Sequence, residues 1–261
     1  MMTRFLAPLL LIVLAPPALA LEHTTPPSAP FTQGKYIAYA ETWSKWSDPA
    51  NKEGFDPMLL DDARFPRQVK MTWHNPDHGP VKAGVWGYGY VGYGQYDYHA
   101  APGVAPVQMK SLKSLRITYD VELTNAANTN LLAEYFLYRD APRPGVSGTK
   151  GAEIGWLLNC PAGTLAYFQT GRQLGQFTDA DGAMWQVAVV QDGSASNYVL
   201  FIPGDGKPRL SGSLDMASAL PWLKEKGVVQ DAMWWSGVAL GVEPLQGAGG
   251  LVVRDFAVSL N

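Results

Sequence analysis

The sequence predicts an all-β protein in which two antiparallel sheets pack face to face. Three observations lead to this prediction. Many short runs with strand-like alternation are separated by Gly, Pro, Asn and Asp, only one segment has the pattern of a convincing helix, and strands do not alternate with helices as in parallel α/β folds. The chain has 261 residues and no internal linker, which favours one large domain.

The N-terminus has the features of an export signal. Arg4 precedes a short apolar run, and an Ala-Leu-Ala cleavage pattern ends at Ala20, so residues 1–20 are predicted to be a signal peptide. The apolar run is too short for a membrane span. We therefore expect a secreted or periplasmic protein, with residues 21–33 as a disordered lead-in and residues 34–261 as the single domain.

The composition favours an uncharged partner over nucleic acid or an anionic membrane surface. The net charge is −3 and there are no basic runs. Nine Trp, twelve Tyr and 27 Gly give an aromatic, Gly-rich profile. Sugar-binding clefts use such surfaces, because pyranose rings stack on flat side chains, but the cores of large β-sandwiches are also rich in aromatics.

Neither the single cysteine nor the histidines predict a reactive or metal centre. Cys160 is the only cysteine, which excludes an intramolecular disulfide, and without an accompanying His it is expected to be a buried structural residue. His74, Asp77 and His78 lie in a loop with Pro and Gly, and their spacing fits no standard zinc motif. We expect no metal and no cofactor.

The N-terminal third is predicted to contain strands joined by long loops. Residues 34–46 read as the first strand and the turn after it, and residues 48–67, rich in Pro, Gly and charge, as a surface loop. Residues 69–73 read as a strand that stops at a run of breakers. Residues 85–99 follow, and their tyrosines share one parity: Tyr88, Tyr90, Tyr96 and Tyr98. If no bulge intervenes, these rings either line a cleft or fill the core.

The middle of the chain is predicted to form two more strands. Residues 116–124 alternate cleanly between apolar and polar side chains, as in an antiparallel sheet with one solvated face. Residues 131–139 place Glu134 on the same face as Phe136 and Tyr138, so this carboxylate lies among aromatic side chains.

The second half is predicted to contain further strands and the only helix. The strand-like runs are residues 165–170, 184–190, 198–202, 233–243 and 251–260, the last with Val252, Phe256, Val258 and Leu260 on one face. The helix is expected over residues 214–226, capped by Ser213 and ended by Gly227. It contains Pro221, which can kink it.

Two isolated carboxylates lie in apolar runs of this half. Glu153 lies in GAEIGWLLN, residues 151–159, and Glu243 in LGVEPLQG, residues 240–247. An ionised side chain on a covered strand is costly unless it is paired, solvated by a cleft or used in chemistry. Two such carboxylates are the minimum equipment of a glycosidase. The alternative is that both are solvated rim residues of a sandwich with no role.

Motifs in the second half of the chain match, in order, those of a known family. The closing segments read LSGSLDMASALPWL and LGVEPLQGAGGLVVRDFAVSLN, an earlier strand reads GAEIGWLL, and the one before it reads NLLAEYFL. In this order, the four segments resemble four segments of glycoside hydrolase family 12. The first resembles its short helix and the second its Gly-Thr-Glu-Pro-Phe strand. The third resembles its Glu-Ile-Met-Ile-Trp-Leu strand and the fourth its Asn-x-Ala-Tyr-Asp-Leu-Phe strand. The similarity covers residues 117–261, and Tyr39 and Trp43 extend it into the N-terminal half.

This resemblance implies a β-jelly roll whose concave sheet forms an open cleft for β-glucan chains. Carried over by position, Glu153 matches the nucleophile, Glu243 the acid/base, and Glu134 the acidic residue that hydrogen-bonds the nucleophile. Trp43 and Trp73 are the expected stacking platforms, and Tyr138 is a further expected substrate contact.

The implied function is that of an exported, monomeric, retaining endo-β-1,4-glucanase acting on cellulose-like or xyloglucan-like chains. A non-catalytic carbohydrate-binding sandwich on the same scaffold is the alternative. Four positions depart from the family pattern and bear on substrate specificity: Gly155 and Leu157 replace a Met and a Trp after the nucleophile, and Ala40 and Glu41 replace an Asn pair.

Overall fold

The computed structural model describes residues 22–43, 54–79, 84–193 and 196–261. The predicted signal peptide, residues 1–20, lies outside the described residues. In the described part of the chain, no helix is long and apolar enough to cross a membrane.

Strands dominate the described residues, which confirms the all-β prediction. The strands in chain order are β1 (Glu22–Thr25), β2 (Phe31–Gln33), β3 (Tyr36–Thr42), β4 (Gly54–Phe55), β5 (Met58–Asp61), β6 (Val69–His74), β7 (Gly87–Tyr96), β8 (His99–Ala100), β9 (Val107–Gln108), β10 (Leu115–Leu123), β11 (Thr129–Tyr138), β12 (Lys150–Asn159), β13 (Arg172–Thr178), β14 (Met184–Gln191), β15 (Asn197–Pro203), β16 (Ser211–Asp215), β17 (Trp234–Trp235), β18 (Gly237–Pro244) and β19 (Gly249–Leu260). The α-helices are α1 (Ala162–Thr170) and α2 (Leu220–Glu225).

The strands form two sheets of unequal size. The smaller has the order β1-β5-β6-β19-β10-β16, with β4 beside β6. The larger has the order β13-β14-β15-β12-β11-β18-β7-β3-β2, with β17 beside β11. Its centre, β12-β11-β18-β7, brings together the strands that carry Glu153, Glu134, Glu243 and the tyrosines.

The prediction of purely antiparallel sheets is wrong at one place. Strands β12 and β15 pair in parallel, with Ile154 opposite Val199. A parallel neighbour requires a long connection. Residues 160–196 supply it, by way of α1 and the β13-β14 hairpin at the sheet edge.

The main hydrophobic core lies between the two sheets. Alternate residues of the larger sheet, such as Ala133, Tyr135 and Trp156, pack there against Met71 and Trp73 of the smaller sheet. The residues between them point to the opposite face and form a second apolar cluster drawn from the larger sheet: Ile37, Tyr39, Tyr88, Tyr90, Tyr96, Leu132, Phe136 and Tyr138 among others. The larger sheet is therefore covered with apolar side chains on both faces.

The segment over residues 165–170 is helical, so its assignment as a strand is wrong. Thr164 and Phe168 are the buried residues of α1. They are four positions apart and so lie on one face of a helix, whereas Leu165 and Tyr167, which a strand would place on one face, are exposed.

The helix predicted over residues 214–226 is shorter than expected. Leu214 belongs to β16, the side chain of Asp215 rather than Ser213 caps the 3-10 turn Met216–Ala219, and α2 follows. Pro221 lies in the first turn of α2, where no intrahelical N–H bond is lost, so it begins the helix instead of kinking it.

Two segments expected to lack regular structure contain short strands. The disordered lead-in over residues 21–33 is wrong for β1 and β2, which pair with β5 and β3 respectively. The long loop over residues 48–67 contains β4 and β5, which pair with β6. The prediction failed because strands of two to four residues are too short to show alternation.

The predicted face of the last strand is interrupted by a bulge. Phe256 of β19 lies opposite Tyr119, but the register then shifts so that Val253, not Val252, continues the buried side. The extra residue is Arg254, which is exposed. Strict parity over residues 251–260 therefore placed Val252 on the wrong face.

Candidate active site

A cavity of about 600 Å³ lies on the face of the larger sheet that points away from the smaller sheet. Its lining combines carboxylates with aromatic rings: Tyr39, Glu41, Trp43, Tyr88, Tyr90, Tyr96, Asp97, Tyr98, His99, Glu134, Phe136, Lys150, Glu153 and Glu243. The three glutamates singled out in the sequence therefore meet in one place.

The central strand β11 sets the arrangement of the three glutamates. Glu153 on β12 is opposite Phe136, and Glu243 on β18 is opposite Asn130. Glu134 lies between these two positions on β11, on the same face. The proposed nucleophile and acid therefore flank β11 from either side, with the third carboxyl group between them.

The carboxyl groups of Glu134 and Glu153 hydrogen-bond each other. Glu134 also accepts a hydrogen bond from the hydroxyl of Tyr96 and one of 3.4 Å from that of Tyr198. Burial, and next the neighbouring Glu153 charge, raise the pKa of Glu134 well above its usual value. Glu134 therefore stays protonated and is the donor in its hydrogen bond to Glu153.

The environment of Glu153 holds its pKa lower than that of its partner. Burial raises the pKa of Glu153 to about 7, while the hydrogen bond from Glu134 and the charge of Lys150 act in the opposite direction. A carboxylate that accepts a hydrogen bond from a neutral acid is stabilised in its ionised form. Glu153 is thus the member of the pair that ionises.

Glu243 is held by a chain of hydrogen bonds that begins on α1. The hydroxyl of Thr164 donates to Asn130 Oδ1 at 2.6 Å, and Asn130 Nδ2 donates to Glu243 Oε2 at 3.0 Å. Burial, and next the electrostatic effect of the neighbouring Glu134 carboxyl group, raise the pKa of Glu243 to about 8, against the effect of the hydrogen bond from Asn130. Glu243 is therefore protonated at neutral pH.

A positive charge lies at the side of the cavity next to Glu153. Lys150 Nζ is 2.9 Å from Asp97 Oδ2 and 3.9 Å from the centroid of the Phe136 ring. A register shift in the β11-β12 pairing makes Lys150, rather than Gly151, the residue opposite Tyr138. The shift brings Lys150 to the same face as Glu153.

Of the predicted aromatic contacts, Trp43 lines the cavity and Trp73 does not. Trp73 is fully buried in the core between the sheets, with its ring edge-on to Phe55. It belongs to β6 of the smaller sheet, so it cannot reach a cavity on the far side of the larger one. The prediction that Trp73 is a stacking platform is wrong.

Tyr138 does not line the cavity either, although it shares a face with Glu134. It is fully buried, its ring centroid is 6.0 Å from that of Phe136, and the loop at Gly148 packs against its ring. That loop covers the end of β11, so Tyr138 is a structural residue and not the expected substrate contact.

The tyrosine run of β7 lines the cavity and at the same time packs as a cluster. Tyr88 stacks on Tyr90 with ring centroids 5.1 Å apart, and both contact Tyr96. Tyr98 lies beyond the end of β7 and is 62% exposed at the cavity edge. The sequence left open whether these tyrosines line a cleft or fill the core. Tyr88, Tyr90 and Tyr96 line the cavity and also pack against one another.

Sequence reasoning missed several residues of the site. Asn130 could have been found, because it lies four positions before Glu134 on the same parity of one strand. Lys150 could not, since strict parity places it on the opposite face from Glu153. Thr164 was hidden by the wrong assignment of its helix, and Tyr198 reaches Glu134 from β15.

The residues weighed as a metal or thiol centre lie elsewhere. His74 Nδ1 is 3.1 Å from Asp56 Oδ2, and the ring of His78 bonds the carbonyl of Gly79. No group of three or more His, Cys, Asp or Glu among the described residues is arranged to hold a metal. Cys160 is half-buried, and burial raises the pKa of its thiol to about 11.

Solved structures that are similar to this chain include family 12 glycoside hydrolases. A family 12 xyloglucanase from Bacillus licheniformis matches with a TM-score of 0.71 and 16% identity, over 92% of this chain and 100% of that one. The endoglucanase cel12A from Rhodothermus marinus matches with 0.71 and 18%, over 92% and 99%. The catalytic domain of Humicola grisea Cel12A, in complex with a soaked thio cellotetraose, matches with 0.69 and 17%, over 91% and 98%.

No family model and no curated protein matches the sequence. At these identities the likeness to solved structures establishes the fold. The β-jelly roll implied by the sequence motifs is confirmed.

Proposed function

We propose that this chain, which has the fold of family 12 glycoside hydrolases, is an exported enzyme that cleaves β-1,4-glucans internally with retention of configuration. The observation that carries the proposal is that three carboxyl groups in one cavity have different hydrogen-bond partners and different protonation states. Glu153 accepts a hydrogen bond from neutral Glu134, whereas Glu243 is held separately by Asn130. Two carboxyl groups in different protonation states are what double displacement requires.

In the first step, the ionised Glu153 attacks the anomeric carbon and the bond from this carbon to the glycosidic oxygen breaks. Glu243 gives its proton to that departing oxygen, so the leaving sugar departs as an alcohol. The product is a glycosyl ester of Glu153, and Glu243 is left ionised.

In the second step, Glu243 takes a proton from a water molecule as that water attacks the anomeric carbon. The ester bond breaks and Glu153 leaves as a carboxylate. Two inversions give net retention, and both glutamates return to their starting protonation states. Glu134 does not contact the sugar in this scheme. Its hydrogen bond positions Glu153, and it stabilises the negative charge of the Glu153 carboxylate after the ester bond has broken.

The proposed substrates are cellulose-like or xyloglucan-like chains, as in the enzymes with the same fold. Trp43 at the cavity and the tyrosines beside it offer flat surfaces for uncharged sugar rings. Gly155 replaces a larger side chain next to the nucleophile, but the ring of Tyr198 and the side chain of Leu200 occupy much of the space that a side chain there would take.

A purely carbohydrate-binding module remains the rival function. Such a module has no use for three clustered carboxyl groups, which repel one another and are costly to bury. It would leave the pairing of Glu134 with Glu153 without a purpose.

Reducing-end release from soluble β-glucan tests the proposal. We expect the wild type to release reducing ends and Glu153→Gln to release essentially none. Glu122→Gln is the matched control, because Glu122 is an exposed glutamate of the smaller sheet, paired with Arg254. Equal, near-zero release by wild type and Glu153→Gln with binding intact would favour the module.

Azide separates the roles of the two glutamates. With Glu153→Ala, azide entering the vacated space should restore turnover and give a product of inverted configuration. With Glu243→Ala and a substrate whose leaving group needs no protonation, azide should attack the glycosyl-enzyme and give retained configuration. NMR of the azide adducts identifies the anomers, and swapped anomers would reverse the assigned roles.

A further inference from the structure

Among the tyrosines that line the cavity, Tyr88 has a hydroxyl that is buried and unused. The Tyr96 hydroxyl donates to Glu134, whereas that of Tyr88 makes no hydrogen bond within the described part of the chain. Tyr88 itself is 7% exposed. A buried hydroxyl without a partner is costly, so such a group in a cavity wall indicates a ligand atom that completes it.

The sheet register places Tyr88 beside the reacting groups. Gly89 of β7 is opposite Val242 of β18, so the next pair in the antiparallel ladder is Tyr88 and Glu243. Glu243 is thus flanked by Tyr88 on one side and by Asn130 on the other. Asn130 holds the acid, and the Tyr88 hydroxyl is left free.

The orientation of the Tyr88 ring is fixed by its neighbours. It stacks on Tyr90 at an interplanar angle of 28°, and Tyr96 lies 5.8 Å away. Tyr90 is itself held close to the backbone by Gly241, where a Cβ would come within 2.6 Å of the Tyr90 Cβ. Packing on this scale keeps a side chain in one rotamer, so the hydroxyl is preorganised.

The charge around Tyr88 makes its hydroxyl a hydrogen-bond donor. Burial, and then the electrostatic effect of the neighbouring carboxyl groups of Glu134, Glu243 and Glu153, raise the pKa of Tyr88 well above its usual value. The hydroxyl therefore keeps its proton throughout the reaction. The Tyr90 hydroxyl is also buried and has no hydrogen-bond partner among the described residues, but the groups that raise its pKa after burial are Tyr39, Asp97 and Glu41, not the three site glutamates.

Resting on the proposed function, we propose that Tyr88 binds substrate by donating a hydrogen bond to the sugar hydroxyl next to the anomeric carbon that Glu153 attacks. A donor close to all three carboxyl groups is within reach of the substituents of that carbon. Positive charge that develops on the sugar ring makes the 2-hydroxyl oxygen a weaker acceptor, so this hydrogen bond does not strengthen in the transition state. The contact should therefore contribute to binding and positioning of the substrate more than to the chemical step.

The test compares two aryl β-cellobiosides, one complete and one lacking the 2-hydroxyl of the sugar at the cleaved bond. Tyr88→Phe keeps the ring and removes only the hydroxyl. We expect this variant to lose about 10-fold in kcat/KM on the complete substrate, mainly through a higher KM, and almost nothing on the 2-deoxy substrate. Tyr90→Phe is the control, and we expect it to affect both substrates equally.

Equal losses on the two substrates for Tyr88→Phe, or no loss on either, would overturn the inference. Failure of the proposed function is a different outcome, in which the wild type cleaves neither substrate. In that case the affinity of wild type and Tyr88→Phe for cellotetraose, measured by calorimetry, decides the inference. A several-fold weaker affinity of the variant supports the contact, and an unchanged affinity overturns it.

Discussion

At the scale of single residues, the site works by giving chemically identical side chains different surroundings. Glu134 has hydroxyl donors and a carboxyl neighbour, Glu153 has Glu134 and the charge of Lys150, and Glu243 has an amide. The order of their pKa values follows from these contacts. Glu153 ionises first, Glu243 ionises at higher pH, and Glu134 stays neutral.

This order predicts the pH dependence of kcat/KM. Activity needs Glu153 ionised and Glu243 protonated, so it should fall as the pH drops through about 7 and fall again as the pH rises through about 8. The measurement is kcat/KM on an aryl β-cellobioside between about pH 5 and 10. An acid limb near 4.5, the ordinary glutamate value, would contradict the raised pKa of Glu153.

Removal of the Glu134 hydrogen bond should move the acid limb. Because that bond lowers the pKa of Glu153, Glu134→Ala should shift the acid limb upward by about one pH unit, with a loss in kcat of at least about tenfold. Glu134→Gln is the matched variant, since its amide still donates and does not titrate. It should keep the limb near its original position, and equal shifts in both variants would count against the hydrogen bond.

At the scale of secondary-structure elements, α1 reaches the site through the side chain of Thr164. Thr164 holds Asn130, which holds Glu243, so the helix fixes the orientation of the proposed acid without touching substrate. This helix lies in the connection that the parallel pairing of β12 and β15 requires.

Thr164→Val tests this role, because it keeps the shape of the side chain and removes its hydroxyl. It leaves Asn130 without its donor, so we expect a cost of about 1–2 kcal/mol in the free energy of unfolding and a several-fold fall in kcat. Loosening of Asn130 should also raise the pKa of Glu243 and shift the alkaline limb upward. Thr170→Val on the same helix, where the hydroxyl is exposed and bonds Tyr167, should change neither the limb nor kcat.

The sequence predicts those elements in which a regular period extends over seven residues or more. The strands that carry Glu134, Glu153 and Glu243 are of this kind and were found, and Glu134 was placed on the correct face. Irregular steps defeat the same reasoning: the shift that turns Lys150 into the cavity and the bulge at Arg254 each reverse the parity. The prediction that Trp73 is a stacking platform failed for another reason, because the spacing of residues along one strand does not show which sheet the strand joins.

At the scale of the whole molecule, the site carries a cost in stability that depends on pH. The carboxyl groups of Glu134, Glu153 and Glu243 all have pKa values above those of an unfolded chain. The folded state therefore binds more protons, and its stability falls as the pH rises from about 4.5 through 8.

Glu243→Gln should relieve part of this cost. The variant and the wild type should unfold with similar free energies near pH 4.5, and the variant should be more stable by about 1 kcal/mol or more above pH 8. Urea unfolding at both pH values measures the difference. Glu122→Gln should show no such increase with pH, and a flat difference for Glu243→Gln would contradict its raised pKa.

The pairing of β12 with both an earlier and a much later strand also determines when the site comes into being during synthesis. β11 and β12 are separated by a short connection and can pair as soon as both have left the ribosome, carrying Glu134 and Glu153 together. β15 joins only after residues 160–196 have been made, and β18 later still. The growing chain therefore assembles its proposed nucleophile first, and the proton donor arrives later, with β18.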